Sequence, residues 1–328
     1  MKGLFYSIMI ALLMIPILAL IIFYSQNITP SNIDINIRAN ELQYFSESIE
    51  DDLSRFLQIN GKRALVAAIN FTVTNGIGLK DAQTNLTDVI KYGTLNDTKI
   101  FADQKNLSEW VQSIRDIASK SGFDINLTVL TFNVTQNDSF SVLFSTTVLI
   151  NISDSTTKMG ISKNMSAAGA VSIEGMQDPS YQIKTGGTVF RNIKKSPFNK
   201  NTAPLAGVWN LSNLTSAIKD GYYYSSTKGA SFLDRLEDNA SLSPKYNTSL
   251  ECSAIGCGLE SFVYLPSLTN PGTSLSDLDY QYWTSVNGHL LNSSKDYNPP
   301  LDSIYSWFKI DCSSATDYGI SSLLNTTC

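Results

Sequence analysis

The chain has 328 residues, of which 43% are apolar and 16% charged, with 24 basic against 29 acidic side chains and a net charge of -5. That length suffices for one large domain or two modest ones, and the acidic balance leaves no electrostatic footprint for a nucleic acid. The single histidine, His289, sits in an Asn-Gly-His turn without a Gly-x-Ser-x-Gly elbow, which removes most nucleophile–histidine schemes.

The first predicted element is the apolar run Leu4 to Tyr24. Its ~21 residues reach ~30 Å as a helix, the thickness of a bilayer core. Lys2 is the only nearby charge, so the expectation is a signal-anchor through the lipid bilayer at residues 4–24. The N-terminus is then cytoplasmic and the ectodomain extracellular at the cell membrane. No small-x-small site follows the run, as a removable signal would need. Cutting after Gly3, ahead of the run, stands as a third possibility, although the glutamate that usually follows such a cut is missing.

From Ile37 to Asn75 the spacing becomes helical. Leu42, Phe45, Ile49, Leu53, Phe56, Ala64, Ala67 and Phe71 form one apolar stripe. Asn60-Gly61 is expected to kink or split the helix, and Asn75-Gly76 to end it. The 42–71 stripe either packs on the domain's own sheet or meets a pilin-like or surface-layer protein partner. A second helix is predicted over Asn106 to Ser121, burying Leu107, Trp110, Val111, Ile114 and Ile117, with Gly122 as its stop.

The period then switches to two. Asp124 to Thr135, Ser139 to Ile152 and Gly160 to Glu174 are rich in Val, Ile, Thr and Phe and read as an antiparallel meander. Residues i and i+2 share a face of a strand, so Asn126 with Thr128, and Asn151 with Ser153, belong on solvent-facing stripes. The opposite face must be buried against helices. Beyond Gly175 the chain is punctuated by proline and rich in aromatics. Ser261 to Leu265 and Ile304 to Ile310 read as strands, and Tyr222-Tyr223-Tyr224 as a strand with alternate tyrosines buried. The expected fold class is α+β: an N-terminal transmembrane helix continuing to an amphipathic helix, an antiparallel β meander, and a loop-rich β C-terminal half with disulfides. The expected division is an anchor at 1–26, an α+β ectodomain at 27–195 and a loop-rich, mostly β region at 196–328.

Cys252, Cys257, Cys312 and Cys328 all lie in the last quarter of the chain. An even number in an exported protein favours two disulfides. Three pairings are open, with Cys252–Cys257 and Cys312–Cys328 preferred as local loops. No CxxC pair supports a zinc site. Glu174, Asp178, Asp234, Glu237 and Glu260 could supply paired carboxylates for glycoside hydrolysis, but nothing in their spacing singles out a pair. Asp277, Asp279 and Asp296 lack the spacing of a calcium loop and read as solvated acids. Arg235, between Asp234 and Glu237, reads as an exposed local ion pair, and Arg191, Lys194, Lys195 and Lys200 as solvated loop charge. No cofactor, metal or catalytic residue is assigned, and the chain is not read as an enzyme.

The strongest sequence signal is Asn-x-Ser/Thr, the acceptor pattern for N-linked glycans. It occurs at Asn27, Asn70, Asn85, Asn96, Asn106, Asn126, Asn133, Asn137, Asn151, Asn164, Asn210, Asn213, Asn239, Asn247, Asn292 and Asn325. The chain's own composition would yield about 6 by chance. Asn27 is a poor acceptor because Pro30 follows its Thr29. The excess points to a surface that carries glycans outside the cell.

Further motifs are Met1-Lys2-Gly3 with its apolar segment, Ser48-Ile49-Glu50-Asp51-Asp52-Leu53 and Gly175-Met176-Gln177-Asp178-Pro179. To these add Phe232-Leu233-Asp234-Arg235-Leu236-Glu237 and Gly258-Leu259-Glu260-Ser261-Phe262. On these the whole chain resembles the large pilin-like, membrane-anchored surface proteins of euryarchaea. The resemblance implies anchoring, an exported ectodomain and a role beside a pilus or secretion system, and it supplies no catalytic residues. The expectation is a single-pass, N-glycosylated extracellular protein with a structural or adhesive role, such as a minor pilin-like subunit. The alternatives are an anchored extracellular glycoside hydrolase using paired carboxylates, or an assembly module of a secretion or pilus system.

Overall fold

The computed structural model describes residues 14, 17, 32–100, 106–200, 204–205, 208–247, 252, 256–263, 274–295, 297–298 and 307–326. Helix α1 (Asn32–Asn75) has 44 residues, about 66 Å of length at 1.5 Å per residue. Leu42, Ser46, Ile49, Leu53, Leu57, Asn60, Ala64, Ala68 and Thr72 are buried. They advance by three or four, so they form one inward line. Phe45, Phe56 and Phe71 flank it half-buried. The predicted stripe is therefore packed inside the protein. Truncating Leu53 or Leu57, both 0% exposed, to alanine would cost about 2–5 kcal/mol.

The helix is not split at Asn60-Gly61 but runs through it. The glycine serves the crossing instead. A Cβ on Gly61 would lie 2.6 Å from Cδ2 of Phe144, and one on Gly169 would lie 2.7 Å from the backbone nitrogen of Gln58. Each layer presents a glycine where helix and sheet come closest. Asn60 stays satisfied in the buried line, donating from Nδ2 to the Phe56 carbonyl at 3.2 Å and accepting from Arg63 Nη1 at 3.2 Å.

Helix α2 (Ala82–Tyr92), which the sequence pattern did not reveal, is capped by Asp81 accepting the Thr84 N–H at 2.8 Å. It ends at Gly93 and leads into a hairpin of β1 (Thr94–Leu95) and β2 (Thr98–Lys99). Helix α3 (Leu107–Lys120) starts at a capping box of Asn106 and Glu109. It buries Leu107, Ile114 and Ala118, whereas Ile117, expected inside, is 50% exposed.

Strands β3 (Phe123–Asp138), β4 (Ser141–Asp154) and β5 (Gly160–Ser172) form an antiparallel sheet with β4 in the centre. Alternate β4 residues, including Val142, Phe144, Val148, Ile150 and Ile152, are buried, and α1 packs across β5 and β4. In β3 the inward positions change from Phe123 and Leu127 to Val134 and Gln136. A register shift between Val129 and Thr131 explains the change of parity, because one extra residue flips the alternation.

The second half is mixed rather than mostly β. It contains α4 (Pro179–Lys184), β6 (Pro204–Leu205), β7 (Val208–Asn210), α5 (Ser212–Asp220), β8 (Tyr223–Ser226), α6 (Phe232–Leu236) and β9 (Gly258–Ser261). After these come α7 (Asp279–Trp283), β10 (His289–Leu290), β11 (Tyr297–Asn298), β12 (Lys309–Ile310) and α8 (Cys312–Asp317). Two apolar clusters form the interior. The larger joins α1 and the main sheet to Tyr223, Phe232, Leu233, Leu236, Tyr246 and Leu259 from beyond residue 196. The smaller runs from Leu211 to Leu324 and includes Tyr224. The tyrosines of β8 are therefore not alternately buried. Tyr223 enters one cluster and its neighbour Tyr224 the other, so the strand is covered on both faces.

Among the described residues no helix is long and apolar enough to cross a membrane. The predicted anchor at 4–24 lies outside them, apart from Met14 and Ile17.

Candidate functional site

The motifs at 175–179, 232–237 and 258–262 meet around Arg235. Ser231 begins α6 with a capping box: Asp234 Oδ2 accepts the Ser231 N–H at 3.1 Å and its hydroxyl at 2.5 Å. This fixes the short helix so that Arg235 turns inward, where it is 2% exposed. Its Nη1 donates to Asp178 Oδ2 at 2.6 Å and its Nη2 to Asp279 Oδ2 at 3.0 Å. Nη2 also reaches the Leu259 carbonyl at 2.7 Å, and Nε the Ala230 carbonyl at 3.3 Å.

The two carboxylates are anchored in turn. Asp178 caps α4, accepting the Ser180 N–H at 2.9 Å on Oδ1, while the Tyr223 hydroxyl donates to Oδ2 at 2.8 Å. Asp279 accepts the Ser261 hydroxyl at 2.8 Å and the Tyr280 N–H at 2.7 Å. Arg191 completes the cluster. It donates from Nη1 to the Tyr181 hydroxyl at 2.7 Å and to the Phe262 carbonyl at 2.5 Å. Its guanidinium lies 5.0 Å from the Tyr181 ring centre and 5.3 Å from that of Tyr223. Arg235 thus pairs with both carboxylates, and Arg191 adds a second positive charge to the cluster without pairing with either.

Burial works against the charge on Arg235, but Asp178 and Asp279 outweigh it and raise its pKa above the ordinary value. Burial also drives the Tyr181 and Tyr223 hydroxyls upward, so both stay protonated donors. Asp178, Asp279, Tyr181, Tyr223 and Ser261 are 0% exposed. The groups bonded to Arg235 are enclosed, while Arg191 is half-buried and lines a hollow with Phe190, Lys194 and Asp220; the network ties α4, β8, α6, β9 and α7 to one point. The expected exposed ion pair of Arg235 with its sequence neighbours is corrected. The partners are 57 and 44 residues away, and Asp234 serves the cap.

The other candidate acids are also committed, to separate places. Glu237 accepts the Ala82 N–H at 2.7 Å, the Tyr246 hydroxyl and Lys245 Nζ at 3.2 Å. Glu260 binds Lys200 Nζ at 2.7 Å and the Tyr318 hydroxyl at 2.7 Å. Glu174 is exposed on a turn. Asp277 is pushed up to about 7 by burial, against the Lys309 N–H that donates to it at 2.7 Å. Asp296 lies outside the described residues, among which no group of three potential metal ligands forms. The His289 ring nitrogen Nδ1 sits 2.9 Å from the Thr326 hydroxyl.

The basic run is likewise not simply solvated. Besides Arg191, Lys194 lies over the Tyr222 ring at 4.3 Å and Lys195 over Phe140 at 5.3 Å. A hollow of about 690 Å³ beside α1, between Lys62, Arg63, Val66, Phe71, Asn75 and Ile100, has no acid or histidine in its wall among the described residues.

Asn70, Asn96, Asn126, Asn133, Asn164, Asn210, Asn239, Asn247 and Asn325 are exposed, and Asn106, Asn137, Asn151, Asn213 and Asn292 are half-buried. Asn85 is buried, its Nδ2 donating to the Asp81 carbonyl at 2.7 Å, and Asn27 lies outside the described residues. On the main sheet Asn126 stands directly opposite Asn151, Asn133 opposite Ser145, and Asn164 opposite Leu149. All four asparagines share the face turned away from α1, as the period-two reading anticipates for Asn126 and Asn151.

Cys252 and Cys257 form a disulfide, and both sulfurs lie against the Asn137 carbonyl at the end of β3. Cys312 is disulfide-bonded as well, and Cys328 lies outside the described residues.

The caps at Asp178 and Ser231–Asp234 carry a local signal, Asp-Pro and Ser-x-x-Asp, which the reading of those acids as candidate carboxylates passes over. The roles of Asp279, Tyr181, Tyr223 and Arg191 carry none, because their partners are distant in sequence. No family model, curated protein or solved structure matches the chain.

Proposed function

We propose that the chain is a single-pass, membrane-anchored, N-glycosylated extracellular protein whose folded part has a structural or adhesive role, in the manner of a minor pilin-like subunit. The observation that carries this reading is the outer face of the main sheet. Asn126, Asn133, Asn151 and Asn164 stand there with Thr128, Thr135, Ser153 and Ser166 two residues on. An acceptor must present its asparagine and its hydroxyl partner to solvent together, and the strand period of two does so at all four positions. The disulfide at Cys252–Cys257 agrees with an oxidising compartment. The apolar run at 4–24 supplies the anchor. The sealed Arg235 network suits a body that must hold its shape under load.

The test is the intact mass of the chain from its native membranes, before and after removal of N-linked glycans, followed by glycopeptide mapping. The expected result is a mass loss on deglycosylation, with glycans mapped to the outer face of the sheet. A mature chain of unmodified mass would sink the proposal.

A further inference from the structure

The main sheet has two outer edges, and they are built differently. Along β3 the ladder is broken by register shifts at Val129/Thr131 and Gln136/Asp138. Asp124 and Asp138 stand near the two ends of that strand, and α2, α3 and α6 lie against it. Bulges, charges and covering helices are the devices that stop an edge from recruiting another strand. Strand β5 has α1 across its inner face but no bulge. Its thirteen residues pair with β4 without a register shift, contain no proline and include one charged residue, Lys163. Among the described residues no strand lies on the far side of β5.

One hydrogen bond sets the orientation of the backbone. The Ile173 N–H donates to the Phe140 carbonyl at 2.9 Å, on the β4 side. In an antiparallel strand the N–H and C=O of a residue point to the same side, and successive residues alternate. Odd-numbered residues of β5 therefore bond to β4. Ser162, Asn164, Ser166, Ala168, Ala170 and Ser172 direct both backbone groups to the open side, and all six are exposed. The edge is a straight row of uncovered donors and acceptors.

We infer that this edge pairs antiparallel with β5 of a second copy of the chain, joining two sheets into one of six strands. Self-pairing about a two-fold axis is the isologous arrangement open to a single strand. It needs a strand without opposed like charges. The only charge, Lys163, is odd-numbered and reaches Glu50 on α1 at 3.7 Å, so it points away from the joint. The six outward side chains are small, and a partner strand in the plane of the sheet leaves the acceptor-bearing face clear. The inference stands independently of anchoring and glycosylation.

The test uses the full chain purified in detergent, with protein mass measured by size exclusion and light scattering. Ala168→Pro removes one outward N–H and no bond to β4, a position where an edge strand tolerates proline. Ala168→Lys puts a charge beside its own two-fold mate while keeping the backbone. The wild type is expected at twice the chain mass, and both variants at the chain mass with an unchanged circular dichroism spectrum. Association through residues 4–24 would persist in both variants. A wild type that stays at the single-chain mass over a hundredfold concentration range overturns the inference. So does a folded Ala168→Lys chain that remains dimeric.

Discussion

Arg235 is the residue whose loss should cost most. Arg235→Met keeps the length and apolar stem of the side chain but leaves Asp178 and Asp279, both 0% exposed, without their cation. Removing one partner of a buried ionic network costs about 3–5 kcal/mol, out of a total stability of about 5–15 kcal/mol. At roughly 2–4 °C per kcal/mol for a chain of this order, the unfolding midpoint should fall by roughly 6–20 °C. Adding Asp178→Asn and Asp279→Asn removes the buried charges yet keeps acceptors for Tyr223 and Ser261, and should recover roughly 2 kcal/mol. Recovery by neutral acceptors identifies the unpaired charge, rather than lost packing, as the cause. Urea unfolding of the three chains tests both statements. An Arg235→Met chain within about 1 kcal/mol of wild type, or a triple variant no more stable than Arg235→Met, would refute the reasoning.

The glycines at the helix–sheet crossing should differ in tolerance. Gly169→Ala drives a methyl into the backbone of Gln58 at 2.7 Å, an overpacking cost of about 1–3 kcal/mol with nothing to offset it. Gly61→Ala meets the Phe144 ring at 2.6 Å but regains about 1 kcal/mol of helix propensity, so thermal melts should rank Gly169→Ala as the less stable. Asp277, at about 7 when folded and about 3.9 when unfolded, binds its proton more tightly in the native state. Stability should therefore decline as pH rises from about 4 to 7, and Asp277→Asn, which can still accept the Lys309 N–H, should flatten that part of the profile in denaturant titrations.

What could be read from the sequence was what repeats locally. The inward line of α1, the cap of α3 and the three strands of the main sheet announce themselves through periods of 3.6 and 2 and through capping residues. The break foreseen at Asn60-Gly61 failed because a glycine in a helix has two physical uses, and only Phe144, 83 positions further on, shows which applies. The second half was read poorly for the same reason. Its helices are too short to display a period, and strand β8 hides its role because Tyr223 and Tyr224 serve different clusters. The Arg235 network joins residues 178, 191, 235 and 279, and no local pattern encodes such a convergence. The segments 175–179, 232–237 and 258–262 all contribute to it, although they lie far apart in the chain.

Asn164 is where the acceptor face and the open edge cross. Its side chain leaves the sheet on the outer face, while its backbone groups lie on the free side of β5. If a two-fold axis passes between Ser166 and Ala168, Asn164 of one copy comes opposite Ala170 of the other. Alanine is among the smallest side chains on the strand, so a glycan at Asn164 meets a bare neighbour, and directly opposed residues only ~5 Å apart need not collide. The same geometry yields a sharp prediction. Ala170→Asn creates a new acceptor, because Ser172 follows two residues later, and places it against Asn164 of the partner. In a host that attaches N-linked glycans, two branched chains would then compete for one site, and the dimer should be lost. In a host that attaches none, the asparagine is merely a small polar residue on an exposed strand and the dimer should persist. Measuring the mass of the same variant from both hosts separates a steric effect of the glycan from damage to the strand. Equal dimer content in the two preparations, with glycan confirmed at the new position, would show that β5 does not meet its copy in this register.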